Sequence, residues 1–133
     1  MRAHFLLQRT GLGRRSLLSS EAMKVKRFKL DAAQIRRVAP DHGGCMASDR
    51  ITVGGELVRY MVREAPMDPQ LGGWMFMAGT ETDDEIADPD CVEIYDVNTI
   101  ANYDPDIIPF LGAPVGSAFE RRNNVGPLVP CEQ

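Results

Sequence analysis

The sequence predicts an α+β fold: one compact domain with a mainly antiparallel sheet and two or three short helices. Three observations predict it. Apolar residues alternate with polar ones in short runs, as half-buried strands require. Capping pairs mark short helix starts between those runs, Asp31 with Gln34 and Thr82 with Glu85. The chain of 133 residues is 44% hydrophobic and 26% charged, enough for one core and ordinary for a globular domain.

The domain is expected over residues 23–122. Lys24 to Leu30 reads as a short strand with a basic face. Asp31 then caps a helix that stops before Pro40, since the residue before proline disfavours helical geometry. Asp41 to Gly44 is a loop. Cys45–Ser48 and Ile51–Val53 read as β segments, and Gly54-Gly55 as a two-residue hairpin turn. The return strand, Leu57 to Arg63, should turn Val58, Tyr60 and Val62 to the core and Leu57, Arg59, Met61 and Arg63 away from it. After a loop from Met67 to Gly73, the run Gly73–Gly79 (GWMFMAG) reads as a central strand. Thr82 opens a helix with Asp83 and Asp84 in its first turn, where the helix dipole favours acids, and it ends by Pro89.

Val92 to Asp96 alternates as a strand. Thr99 to Tyr103 is a helical turn or tight loop. Asp104-Pro105 is an N-cap followed by proline at the first helical position, a strong helix start. Ile107, Ile108 and Leu111 should face the core, with Gly112 ending the helix. Ser117 to Arg122 is a last strand, and residues 123–133 are expected to be a flexible tail.

Residues 1–22 are expected to lie outside the domain, as a disordered leader or as residues upstream of a true start at Met23. Their arginines, serines and single acid also resemble a transit peptide.

The net charge of −4 conceals an asymmetry. Residues 1–40 carry ten basic residues against two acids; residues 41–133 carry five against seventeen. So acidic a body repels nucleic acid, and no apolar stretch approaches the ~20 residues a membrane helix needs. It suits a basic protein partner, or simply a solvated surface. Cys45, Cys91 and Cys131 are odd in number and far apart, which fits neither a disulfide framework nor a zinc site and is compatible with a reducing cytoplasm.

Candidate chemistry is sparse. Glu81, Asp83, Asp84, Glu85, Asp88 and Asp90 cluster, but lack the spacing of a calcium loop, so no metal is expected. They read as a solvated helix start or a contact for a basic partner. His42 and Cys45 are a conceivable nucleophile pair, yet an exposed loop histidine explains His42 as simply. Neither glycine pair sits in a nucleotide-binding pattern, and no cofactor is expected. Trp74, the only tryptophan, is either a core anchor or an interface hot spot. Asn98, Thr99, Asn102, Tyr103 and Asp104 form a polar corner of the kind used for turns and caps, or for recognition.

The segments CMASDRITVGGELVRYMVREAP, GWMFMAGTETDDE and IYDVNTIANYDPDIIPFLGAPVGSAFER resemble the immunity protein 33-like family. The resemblance spans about Cys45 to Arg121 and is most specific in its last segment. It implies a compact α+β fold without catalysis and a role in bacterial polymorphic toxin systems, where such a protein binds and neutralises a cognate toxin. The partner expected from charge is a basic toxin, and the expected contacts are Arg63, Glu64, Trp74, Glu81, Asp83, Asp84, Asn102, Tyr103 and Asp104. A stand-alone module for a small ligand or a host protein is the alternative.

Overall fold

The computed structural model describes residues 26–123 and 125–133. It is an α+β domain built on one six-stranded mixed sheet. The elements in chain order are β1 (Gly44–Ser48), α1 (Asp49–Thr52), β2 (Tyr60–Arg63), β3 (Leu71–Met77), α2 (Asp83–Ala87), β4 (Val92–Asp96), α3 (Val97–Tyr103), β5 (Ala118–Arg121) and β6 (Leu128–Cys131). Short 3₁₀ segments lie at Ala32–Gln34 and Pro105–Phe110. The strand order is β4-β1-β3-β2-β5-β6. Only β1 and β3 run parallel; the other neighbours are antiparallel.

One face of the sheet carries the core. Ala47, Phe76, Met61 and Phe119 lie in register across β1, β3, β2 and β5, and all are buried. Ile51 of α1, Val97, Ile100 and Ala101 of α3, and Ile107 and Leu111 close over them. Trp74 stacks on Phe76 with ring centroids 6.0 Å apart, and Phe119 packs on Phe110 at 4.5 Å.

Several elements differ from expectation, each for a local reason. Lys24, Val25 and the leader 1–22 lie outside the described residues. Residues 26–30 form no strand; Lys26 instead pairs with Asp49 at 2.9 Å and with Glu93, and Phe28 meets the Tyr95 ring edge-on. The capping box at Asp31 and Gln34 forms, but the helix stops after one turn. Beyond it, the N–H groups of Arg36, Val38 and Ala39 donate to the side-chain oxygens of Asn102 and Asn98 at 2.7–2.9 Å. Those amides replace the carbonyls that a continuing helix would have supplied.

Ile51–Val53 is not a β segment. Ser48 accepts the Arg50 N–H at 3.0 Å and starts α1. Gly54-Gly55 therefore ends a helix rather than turning a hairpin: both N–H groups donate back into α1 at 3.0 Å, and Gly55 has φ +76. The return strand is shorter than expected, and Met61, not Tyr60, faces the core. Val58 precedes β2, buried where its N–H meets the Asp104 carboxylate.

The turn expected at Thr99 is a full helix started by Asp96. The segment after Asp104 is 3₁₀ rather than α, with Pro109 inside it. The tail expected to be flexible contains β6, which pairs with β5 and buries Leu128.

Candidate functional site

The second face of the sheet is also apolar: Val62 and Ala118 at one end of it are buried, whereas Met46, Met75, Met77 and Ile94 are only partly covered by the described residues. Ile94, Met46, Met75 and Val62 lie in register across β4, β1, β3 and β2, with Ala118 following on β5. A one-sided antiparallel sheet would place polar residues there. Over the β4-β1-β3 part of this face lies an open groove of about 650 Å³. Met46, Leu71, Met75, Met77, Val92 and Ile94 line it. Met67 stands in one wall, 76% exposed, and Ile86 of α2 in another, 54% exposed.

The rim is acidic. Glu64 and Asp88 line the groove and no basic side chain does. Asp83 and Asp84 are exposed on α2, which carries Ile86. None of these four acids makes an ion pair among the described residues.

The expected contact residues do not form one surface. Glu64 lines the groove, and Asp83 and Asp84 are exposed in the first turn of α2, whose Ile86 and Ala87 line it. Arg63 is a clamp: it donates to Gly72 O at 2.9 Å and Ala113 O at 2.6 Å, with its guanidinium 5.7 Å from the Trp74 ring centroid. Trp74 itself is 2% exposed, and its indole packs in the core with Nε1 donating to Leu111 O. It serves as a core anchor, not a surface hot spot.

The polar corner is structural too. The Asn102 amide donates to Arg36 O and Asn98 O at 2.8 Å, and the Tyr103 hydroxyl accepts from Leu30 N at 3.1 Å. These groups staple the strap of residues 26–39 onto α3. Asp104 is 1% exposed and cannot touch a partner. It accepts from Val58 N at 2.9 Å and Arg121 at 2.7 Å. Arg121, also buried, donates in addition to Val58 O, Gly126 O and Asp106. The sequence reading missed this pair; its available signal was a lone arginine on an otherwise apolar strand face.

Glu81 closes the turn after β3, its two oxygens accepting the N–H groups of Ala78 and Gly79 at 2.7 and 2.9 Å. Burial opposes its ionisation, but hydrogen bonds from Ser48 and from backbone N–H groups outweigh it and hold the carboxyl below its ordinary 4.5. A carboxyl lowered on folding stabilises the fold at pH values above its unfolded pKa. That contribution is lost as pH falls through the lower folded value. Glu81→Gln is therefore expected to lower Tm at pH 7, where the contribution of the ionised carboxyl is fully present, and to converge on wild type as pH falls below about 4.5, which flattens the acid limb of a Tm-against-pH curve. An unchanged acid limb would show that the turn does not depend on ionised Glu81.

Burial pushes the Cys45 thiol far above its ordinary value, so this cysteine has no thiolate for attack on a substrate. Among the described residues, no group of three or more His, Cys, Asp or Glu side chains is placed to hold a metal ion. No described helix is long and apolar enough to cross a membrane.

The family model of the Immunity protein Imm33 domain matches residues 45–132. The chain belongs to this family. No curated protein and no solved structure matches it significantly. The Imm33 match begins inside β1, at the first buried residue of that strand, and runs through β6. Both walls and the floor of the groove thus lie within the Imm33 domain, whereas the strap of residues 26–39 precedes the matched region. Family membership points to an immunity-protein role and to a polymorphic toxin context.

Proposed function

We propose that this Imm33 domain neutralises a cognate toxin in the cytoplasm by binding it directly, without chemistry of its own. The observation that carries the reading is the open apolar groove with an acidic rim on the sheet face, in a chain of an immunity-protein family. Uncovered apolar surface of this kind is a mark of protein interfaces. The toxin's contact region would be basic, complementing Glu64, Asp83, Asp84 and Asp88 and the excess of acids over residues 41–133. The same acidity disfavours nucleic acid as the partner.

The test uses the full chain and a toxin domain captured with it from its native host. Calorimetry at low and moderate salt is expected to show saturable binding that weakens as salt screens the rim. Co-expression is expected to restore growth of cells making the toxin. A toxin that neither binds nor is neutralised would overturn the reading.

The groove volume favours a second reading, since about 650 Å³ falls within the range of small-molecule pockets. Such pockets hold their ligand with a few convergent polar groups. The side chains lining this groove are apolar apart from Glu64 and Asp88, which suits an apolar ligand or a protein side-chain row better than a polar metabolite.

A further inference from the structure

We infer that the groove on the β4-β1-β3 face is the seat of an amphipathic helix presented by the partner, with an apolar stripe toward the sheet and Lys or Arg on its flanks. This deepens the immunity reading and rests on it. Most helical residues pack on the core face of the sheet, and among the described residues only the short α2 stands beside the strands on the groove face, through Ile86 and Ala87. A sheet with one face left to water alternates apolar with polar residues along its strands. The row Ile94, Met46, Met75 and Val62 is as apolar as a covered face would be. The β4-β1-β3 part of the face has the chemistry of a covered surface but is only partly covered.

The dimensions fit one helix. Three adjacent strands put the axes of β4 and β3 about 10 Å apart. A helix with its side chains is about 10–12 Å across. The seven residues of β3 extend over roughly 20 Å at ~3.3 Å each. A helix of roughly 13 residues covers the same length at ~1.5 Å per residue. Ile86 and Met67 stand up on the walls, where they would grip the sides of such a helix. Four of the lining residues are methionines, Met46, Met67, Met75 and Met77. Their unbranched side chains fill irregular gaps and adapt to an incoming apolar stripe.

Charge selects the occupant. The groove offers no basic group, and its nearest charges are Glu64 and Asp88, with Asp83 and Asp84 beyond them on α2. A helix with acidic flanks would meet like charge on that rim; one with basic flanks would find unpaired acids.

The experiment uses the full chain and the toxin domain captured with it from its native host. Dissociation constants are measured for wild type, Met75→Asp, Ile86→Asp and Met67→Asp. Val125→Asp serves as control, since Val125 is exposed and outside the groove. Met75→Asp is expected to weaken binding at least 100-fold, and Ile86→Asp and Met67→Asp about 10-fold each, with the control unchanged. Met67 and Ile86 are exposed, so their variants keep the test open if Met75→Asp does not fold. A photo-crosslinking residue at position 67 then identifies the occupant by mass spectrometry. A synthetic peptide of the crosslinked toxin segment is expected to gain helical circular dichroism on binding.

Toxin binding that all three groove variants leave intact would overturn the inference and spare the immunity reading. Crosslinks from position 67 to residues 1–25 of the same chain, or to a second copy, with toxin bound would also overturn it. So would a crosslinked segment that binds without gaining helicity. If the toxin does not bind the wild-type protein, the immunity reading fails and this inference fails with it.

Discussion

Arg121→Ala is expected to destabilise the domain by about 3–5 kcal/mol, the cost of leaving one member of a buried ion pair without its partner. Asp104 and Arg121 are 1% and 3% exposed, and their bond is 2.7 Å long. The pair joins three parts of the chain that are distant in sequence. Asp104 caps the 3₁₀ segment through Asp106 N and receives Val58 N, while Arg121 reaches Val58 O and Gly126 O. Removing the guanidinium therefore strands a carboxylate and two carbonyls at once. Urea unfolding should show the loss as a midpoint lower by roughly 2 M, given a slope of about 2 kcal/mol/M for a domain of this size. The paired replacement Asp104→Leu with Arg121→Met should cost less than Arg121→Ala alone, because it buries no unmatched charge. A single variant that loses under about 1 kcal/mol would mean that water reaches Asp104 and takes the place of the arginine.

Gly73→Ala is expected to cost about 3 kcal/mol and to disturb the groove from beneath. Gly73 has φ +90, a conformation that side-chain-bearing residues rarely adopt. A Cβ there would overlap the Glu64 carbonyl oxygen, which follows β2 on the neighbouring strand. The Glu64 N–H donates to Gly73 O at 2.9 Å, so the two backbones are tied where they would be pushed apart. A forced backbone conformation costs about 1–3 kcal/mol and an overpacked contact about as much again. Thermal unfolding measures the first effect. The second should appear as weaker toxin binding, because Glu64 stands on the rim and Gly73 within the lining. A variant as stable as wild type would show that the β2–β3 ladder can shift without cost at this end.

Much of the sheet was legible in the sequence because local pattern and tertiary role agree there. Gly73–Gly79 alternates and is central; Val92–Asp96 alternates and pairs. Thr82 and Glu85 form the capping box that their spacing announces. The misreadings share a cause: a partner distant in sequence overrode a local preference. The helix begun at Asp31 ends because Asn98 and Asn102, some sixty residues on, take its backbone donors. Val58 and Met61 both face the core because the chain is irregular just before β2, so strict alternation from Leu57 misassigns the faces.

The candidate site was less legible for a related reason. Acidic residues and a tryptophan are visible in any sequence, but burial is not. Asp104 was expected among the contacts and is buried, and of the two readings open for Trp74 its burial fits the core anchor. Met46, Met75 and Ile94 were visible as strand residues, yet only strand order brings them into one row. A row across three strands has no signature along any one of them.

The strap of residues 26–39 separates two ideas of what a domain is. The unit recognisable by descent runs from residue 45 to 132. The unit that satisfies its own polar groups is longer, because Asn98 and Asn102 in the middle of the heritable part spend their amides on Arg36, Val38 and Ala39. All of these bonds go to backbone N–H and C=O groups, which every residue offers alike except that proline lacks the N–H. Selection can thus keep the two asparagines while leaving the strap's side chains free to drift. A segment can then be essential to the architecture and still leave little trace in a family profile.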